Sequence, residues 1–347
     1  MSETTYIVAP APETRAQKAQ LRSPAWFLDF VRPDLDAVEL RMNQDLGSDV
    51  RTVYALTRHL LNAGGKRLRP AMLALSARAI QSEPDTDRIA TVGAAVEFVH
   101  MATLVHDDVV DNTATRRGKP TANAVFGNGV AVLSGDYILA RAMRLLAVDG
   151  DLRIIRTVSE ITVDMSEGEV MEIAATGKPD LPMADYMEIL RKKTAVFVEG
   201  CCRCGAILAG AEQGLENALA DYGYRLGMAF QLADDLLDYT GDPCVTGKPR
   251  GSDLRDGRAT LPFLIAMDAA TARERKRLLA AFGNARVADE EVLEVCDILE
   301  AHGAFDRTRE AARDHVEKAD AALSLLPPST ARECFAALTD FVVQRDR

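Results

Sequence analysis

Apolar residues recur at helical spacing along almost the whole chain and strand-like alternation is nearly absent, so a core can form only by packing helices on helices. From Leu35 to Asn62 the apolar positions include Leu35, Val38, Leu46, Val50, Val53, Leu56 and Leu60, and Gly64 and Gly65 then interrupt. The same pattern predicts helices over about 70–81, 87–112, 128–148, 151–175, 183–211, 215–240, 258–283, 289–302, 305–325 and 330–345. The fold class is all-α. No stretch rich in Gly, Pro or Ser divides residues 26–347, which are expected to form a single helical domain. Residues 1–25, with Pro10, Pro12 and Pro24 among polar side chains, are expected to be a mobile arm. The arm lacks the apolar core of a signal peptide, and Glu3 and Glu13 count against a mitochondrial leader, which leaves a cytoplasmic location as the default.

A net charge of -11 offers nucleic acid no general attraction. An anionic ligand would have to be held by local cations. The six cysteines, Cys201, Cys202 and Cys204 among them, lack the spacing of a zinc site and read as reduced, partly buried thiols. Thr91–Val110 is apolar enough to raise the question of a membrane span, but Glu97, His100, His106, Asp107 and Asp108 make a buried core helix the better reading.

Two acidic clusters carry the chemistry: DDVVD, with Asp107, Asp108 and Asp111, and DDLLD, with Asp234, Asp235 and Asp238. Each lies at the end of an apolar helical segment. On a helix, residues four apart share a face about 6 Å apart, so Asp107 with Asp111, and Asp234 with Asp238, each project two carboxylates one way. Such pairs repel unless a cation sits between them. Magnesium suits them, because it is held by one or two carboxylates while water and phosphate oxygens complete its shell. One DDxxD alone would more often be a solvated helix end; two in apolar settings point to a metal–diphosphate site. Calcium is the weaker choice, since the EF-hand loop pattern is missing.

Basic residues accompany these clusters. GGKRLRP sets Lys66, Arg67 and Arg69 on a glycine-loosened turn able to hold phosphate. Arg116 and Arg117 follow DDVVD in a loop, and Lys193, Thr194 and Lys248 add cations and a hydroxyl.

In order, GGKRLRP, EFVHMATLVHDDVVD, RRGKPTAN, GDY, KTA, FQLADDLLDY, GK and TLP resemble the trans-isoprenyl diphosphate synthase family over about residues 60–265, and the ending VVQRDR resembles its long-chain members, the octaprenyl and decaprenyl type. The resemblance implies an orthogonal helical bundle around a deep apolar cavity, usually as a homodimer. It implies condensation of isopentenyl diphosphate onto an allylic diphosphate primer with Mg2+, three ions when diphosphate is bound. Asp107, Asp111, Asp234 and Asp238 would be direct or near-direct magnesium ligands, supported by Asp108 and Asp235. Lys66, Arg69, His100 and Arg117 would hold isopentenyl diphosphate. Arg116, Lys193, Thr194, Gln231 and Lys248 would hold the allylic diphosphate. Arg258 stands where the family usually has lysine before TLP, and its diphosphate contact is ranked low because a planar fork replaces a point charge. Without the resemblance, His100 and Gln231 would read as core or packing residues, and Thr194 as bonded to its own helix.

Product length is expected to be about eight to ten isoprene units, as in quinone side chains. Short-chain members carry bulky aromatics just before the first acidic motif; here Ala102 and Thr103 leave the pocket open. Val99 would line the tunnel below them, and Met143 replaces an aromatic residue at its floor. Two rivals stand against this function. A class I terpene cyclase generally lacks the second DDxxD, and a silent regulatory subunit tends to lose its aspartates or basic loops.

Overall fold

The computed structural model describes residues 24–116, 118–242 and 249–344. Helices α1 (Pro24–Phe30), α2 (Arg32–Asp45), α3 (Arg51–Ala63), α4 (Leu68–Ile80) and α5 (Thr86–Val110) lead to a small antiparallel hairpin of β1 (Thr115–Arg116) and β2 (Lys119–Pro120). Next come α6 (Ala122–Phe126), α7 (Asn128–Asp149), α8 (Leu152–Ala175) and α9 (Met183–Leu190), which passes through a π-helical turn at Arg191–Ala195 into α10 (Val196–Leu208). The chain continues as α11 (Gln213–Thr240), α12 (Ser252–Asp256), α13 (Leu261–Ala269), α14 (Ala272–Ala281), α15 (Asp289–Ala301), α16 (Ala304–Leu323) and α17 (Thr330–Gln344). The architecture is all-α, as the periodicity demands.

Two predicted helices are each broken. The 35–62 stretch is α2 and α3, separated around Gly47 and Ser48, where the Ser48 hydroxyl accepts from the Val50 amide. The 258–283 stretch begins as a helix only at Leu261, with Pro262 in the first turn, and ends at Ala269. A new helix then starts after its N-cap Thr271, whose hydroxyl accepts from the Glu274 amide while the Glu274 carboxylate accepts from the Thr271 amide. That capping box is written in the sequence as TARE and stops one helix running into the next. Helix α1 begins at Pro24, at the edge of the expected arm; residues 1–23 lie outside the described residues.

Helix α5 is the central strut. Asp85 caps it by accepting from the Asp87 and Arg88 amides. Ile89, Ala94, Phe98 and Val99 are fully buried, and a buried Phe or Val contributes roughly 1.5–3 kcal/mol. Among the described residues α5 alone is long and apolar enough to cross a membrane, but most of it is covered by its neighbours. One core gathers Phe98 of α5, Ile138 of α7, Cys201 of α10 and Tyr222 of α11. A second gathers Tyr186 of α9, Leu232 and Tyr239 of α11 and Phe263 of α13. Helix α11 runs through both cores and carries the second acidic motif at its far end, level with the end of α5.

Candidate active site

A cavity of about 870 Å³ opens between the ends of α5 and α11, with α8 and the π-turn forming its third side. Asp107, Asp111, Asp234, Asp235 and Asp238 all line it, so the two acidic motifs face one space.

The α5 side is half-sheltered. Burial first, and then the facing Glu169 and Asp111, push the Asp107 carboxyl up to about 7, although Lys193 and Arg116 pull the other way. Asp108 is buried away from the cavity lining and accepts from Arg116 Nε at 2.9 Å, while its backbone oxygen accepts from Asn123 Nδ2 and the Thr113 amide. Asp111 ends the helix and sits 3.6 Å from Arg258.

On the α11 side Asp234 is exposed to the cavity. Asp235 is buried and accepts from the Tyr186 hydroxyl at 2.5 Å and from Gln231 Nε2 at 3.3 Å. Burial, then Asp253, pushes its carboxyl up to about 8. Tyr186, buried against that carboxyl, is held well above the ordinary phenol value and remains a donor. Asp238 accepts from the Ser252 and Asp253 amides, at 3.1 Å each, and so anchors the start of α12.

The third side supplies cations held by acids. The Lys193 ammonium pairs with Glu172 and lies 3.5 Å from Glu169; burial works against its charge, but these two carboxylates outweigh burial and raise its pKa. Lys192 pairs with Asp164 and, at 2.6 Å, with Glu167. The π-turn reaches this acidic face because Gly168 has no side chain: a Cβ there would stand 2.8 Å from Lys192 Cβ and 3.0 Å from the Lys193 amide nitrogen. Thr194 donates to Gln231 Oε1 at 3.0 Å, which ties the turn to α11.

Of the other expected residues, Arg69, His100 and Arg116 line the cavity, with the Arg69 guanidinium 5.0 Å over the Phe197 ring and His100 edge-on to that ring. Lys66 is exposed and lies outside the lining. Arg117 and Lys248 lie outside the described residues. Arg258, ranked low, is in the lining, between Asp111 and Asp253. Of the chain-length residues only Thr103, on the Asp107 face of α5, reaches the cavity, and its hydroxyl donates to the His100 carbonyl. Ala102, rotated about 100° from it, and Val99, two turns below Asp107, are packed in the core. Met143 is partly buried against the same core. Glu169, Glu172, Tyr186 and Asp253 complete the lining and were not singled out from the sequence. Glu169 and Glu172 sit three apart on one helix face, a spacing common on solvated helices and therefore silent by itself.

The polyprenyl synthetase family profile matches residues 50–299. The chain belongs to the polyprenyl synthetase family. Its members include the octaprenyl diphosphate synthase of Escherichia coli (strain K12), 41% identical over 321 residues that cover 92% of this chain and 98% of that one. A decaprenyl diphosphate synthase structure from Rhodobacter capsulatus superposes with a TM-score of 0.87 at 34% identity, covering 94% of this chain and all of that one. A polyprenyl synthase from Caulobacter crescentus CB15, solved with calcium and isoprenyl diphosphate, gives 0.86 at 37% identity, covering 94% and 98%. The family is one of prenyltransferases, and the all-α fold is that of the isoprenoid synthases.

Proposed function

We propose that this synthase extends an allylic diphosphate primer with successive isopentenyl diphosphate units to a long all-trans product, about C40 to C50, for quinone side chains. The observation that carries the reading is the pairing of two acidic motifs across one cavity that Arg69, Arg116, Lys193 and Arg258 also line. Magnesium fits the residues present. The donors are all oxygens, and burial beside Glu169 and Asp111 leaves Asp107 short of positive charge. Among the described residues no three His, Cys, Asp or Glu converge to hold an ion by themselves, which favours an ion that shares its shell with substrate phosphate.

Asp107, Asp111, Asp234 and Asp238 would hold the ions, three with diphosphate bound. Bound magnesium would neutralise charge developing on the departing diphosphate. The chain itself supplies the rest. Arg116, Lys193, Arg258 and Thr194 stabilise the same leaving group, with Lys248 added from outside the described residues. Arg69, His100, Lys66 and Arg117 hold isopentenyl diphosphate with its double bond beside the allylic carbon. The C–O bond breaks, the new C–C bond forms, and the released diphosphate takes the proton. Apolar side chains such as Leu104 and Met165 keep water from the cation.

For the long product, the small Ala102 and Thr103 are the supporting residues, Thr103 from the cavity side. We further propose a cytoplasmic homodimer: Leu133 and Val148 of α7 and Leu152, Val163 and Val170 of α8 are exposed apolar side chains on two neighbouring helices. Residues 26–347 would act as one catalytic unit behind a 1–25 arm. Incubation of the purified protein with magnesium, labelled isopentenyl diphosphate and primers of increasing length tests the reading. Long linear prenyl products are expected. A hydrocarbon or terpene alcohol from the primer alone, or activity only after mixing with a second subunit, would overturn it.

A further inference from the structure

The turn that carries GGKRLRP contains a charge that points the wrong way for a phosphate site. Lys66 is exposed and Arg69 reaches the cavity, but the Arg67 side chain between them turns inward and is only 10% exposed. Its Nη1 donates to Glu97 Oε1 at 3.0 Å and its Nε to Glu39 Oε1 at 3.3 Å. Glu97, at 5% side-chain exposure, is buried in the middle of α5. Arg67 also has φ of 50°, a left-handed backbone that costs a non-glycine residue roughly 1 kcal/mol, and its carbonyl accepts the first bond of α4.

A buried ion pair pays several kcal/mol in desolvation and is weak grounds for stability. A strained residue held by one has a better explanation in geometry. The residues expected at isopentenyl diphosphate lie one before Arg67, two after it, and three after Glu97: Lys66, Arg69 and His100. On α5, Glu97 and His100 share a face. The Arg69 guanidinium and the His100 ring both pack against Phe197.

We propose that Arg67 and Glu97 are a positioning pair that fixes the GGKRLRP turn against α5 and thereby sets the spacing of the isopentenyl diphosphate subsite. The pair does not touch substrate. This rests on the assignment of Lys66, Arg69 and His100 to that substrate, so Arg69→Ala serves as the control for the assignment.

The test is steady-state kinetics of the full-length enzyme with magnesium, varying each substrate in turn, with thermal unfolding followed in parallel. Arg67→Gly removes the anchor while relieving the left-handed strain, and Glu97→Gln removes the charge with little change of shape. Each should raise KM for isopentenyl diphosphate about tenfold and leave KM for the primer within about twofold. The double variant should be no worse than either single one, because both break one link. Arg67→Lys should recover part of the loss. If Glu97→Gln does not fold, Arg67→Gly gives the same readout. A fall in melting temperature with both KM values unchanged, or an equal rise in both, would overturn the pairing. If Arg69→Ala spares isopentenyl diphosphate, the subsite assignment falls and the pairing with it.

Discussion

Asp108 and Asp235 occupy the same place in two matching motifs, and both are buried, yet their partners differ in kind. Asp108 faces a guanidinium, Arg116, which itself borders the cavity. Asp235 faces neutral donors, a phenol and an amide, and its carboxyl is pushed up to about 8. The last aspartates diverge as well: Asp111 ends a helix beside Arg258, whereas Asp238 starts one by accepting two backbone amides. The α5 motif is thus coupled to charged side chains and the α11 motif to neutral dipoles. Equal sequence spacing therefore does not mean equal roles: one wall can respond to a change in ligand charge, and the other holds its shape.

The largest expected effect treats the walls alike. Asp107→Ala and Asp234→Ala should each lower turnover on the order of 10³-fold, about 4 kcal/mol of transition-state stabilisation, with the fold retained. Near wild-type turnover at saturating magnesium and both substrates would remove the assignment for that wall.

The second positions should separate the walls. Asp108→Asn releases Arg116 and should cost roughly 10²-fold in turnover, partly recovered at higher primer concentration. Tyr186→Phe should cost about tenfold with no such recovery, because it disturbs the Gln231 and Thr194 links and releases no cation. Identical kinetic signatures for these two variants would erase the distinction.

The pH dependence of stability sharpens it further. Asp107 and Asp235 have folded values of about 7 and about 8, above that of an unfolded aspartate, so the protein is favoured where both are neutral. That stability is complete below about pH 4 and is lost as pH rises through about 7 and about 8. In metal-free buffer the melting temperature should fall over this range, and Asp235→Asn should flatten the upper part of the fall. Parallel curves for wild type and variant from pH 5 to 9 would contradict the burial argument.

The smallest effect concerns the product. Ala102→Phe should shorten the principal chain while the first condensation continues at a similar rate. Since Ala102 is packed beside the cavity lining, the new ring has to displace its neighbours toward Thr103. Chromatography of dephosphorylated products showing an unchanged length would separate this helix face from length control.

Helix content and both acidic motifs were legible because each leaves a local trace, a period of 3.6 residues or a carboxylate pair one turn apart. The turn between α13 and α14 was missed, because the apolar period runs across it and outweighs the short Thr271–Glu274 box. What could not be read is tertiary. Nothing near Tyr186 in the chain says that its hydroxyl meets Asp235, and nothing near Glu172 says that it pairs with Lys193, since each partner arrives from another helix. Val99 shows a related limit: counting turns from Asp107 gives its height on α5 but not where the cavity lining ends.

The π-turn at Arg191–Ala195 has a consequence for how this chain can change over generations. It joins a segment whose Tyr186 and Leu190 belong to one core to a segment whose Phe197 and Cys201 belong to the other. The wide turn holds one residue more than an α-helical turn would, so deleting one residue there would keep the flanking helices in phase but shift the residues inside the turn. Phe197 would keep its core, and the loss would fall on Lys193 and Thr194, which the turn presents to the cavity. A lineage can lengthen the α2–α3 connection at little cost, but at this turn the number of residues is as constrained as their identity.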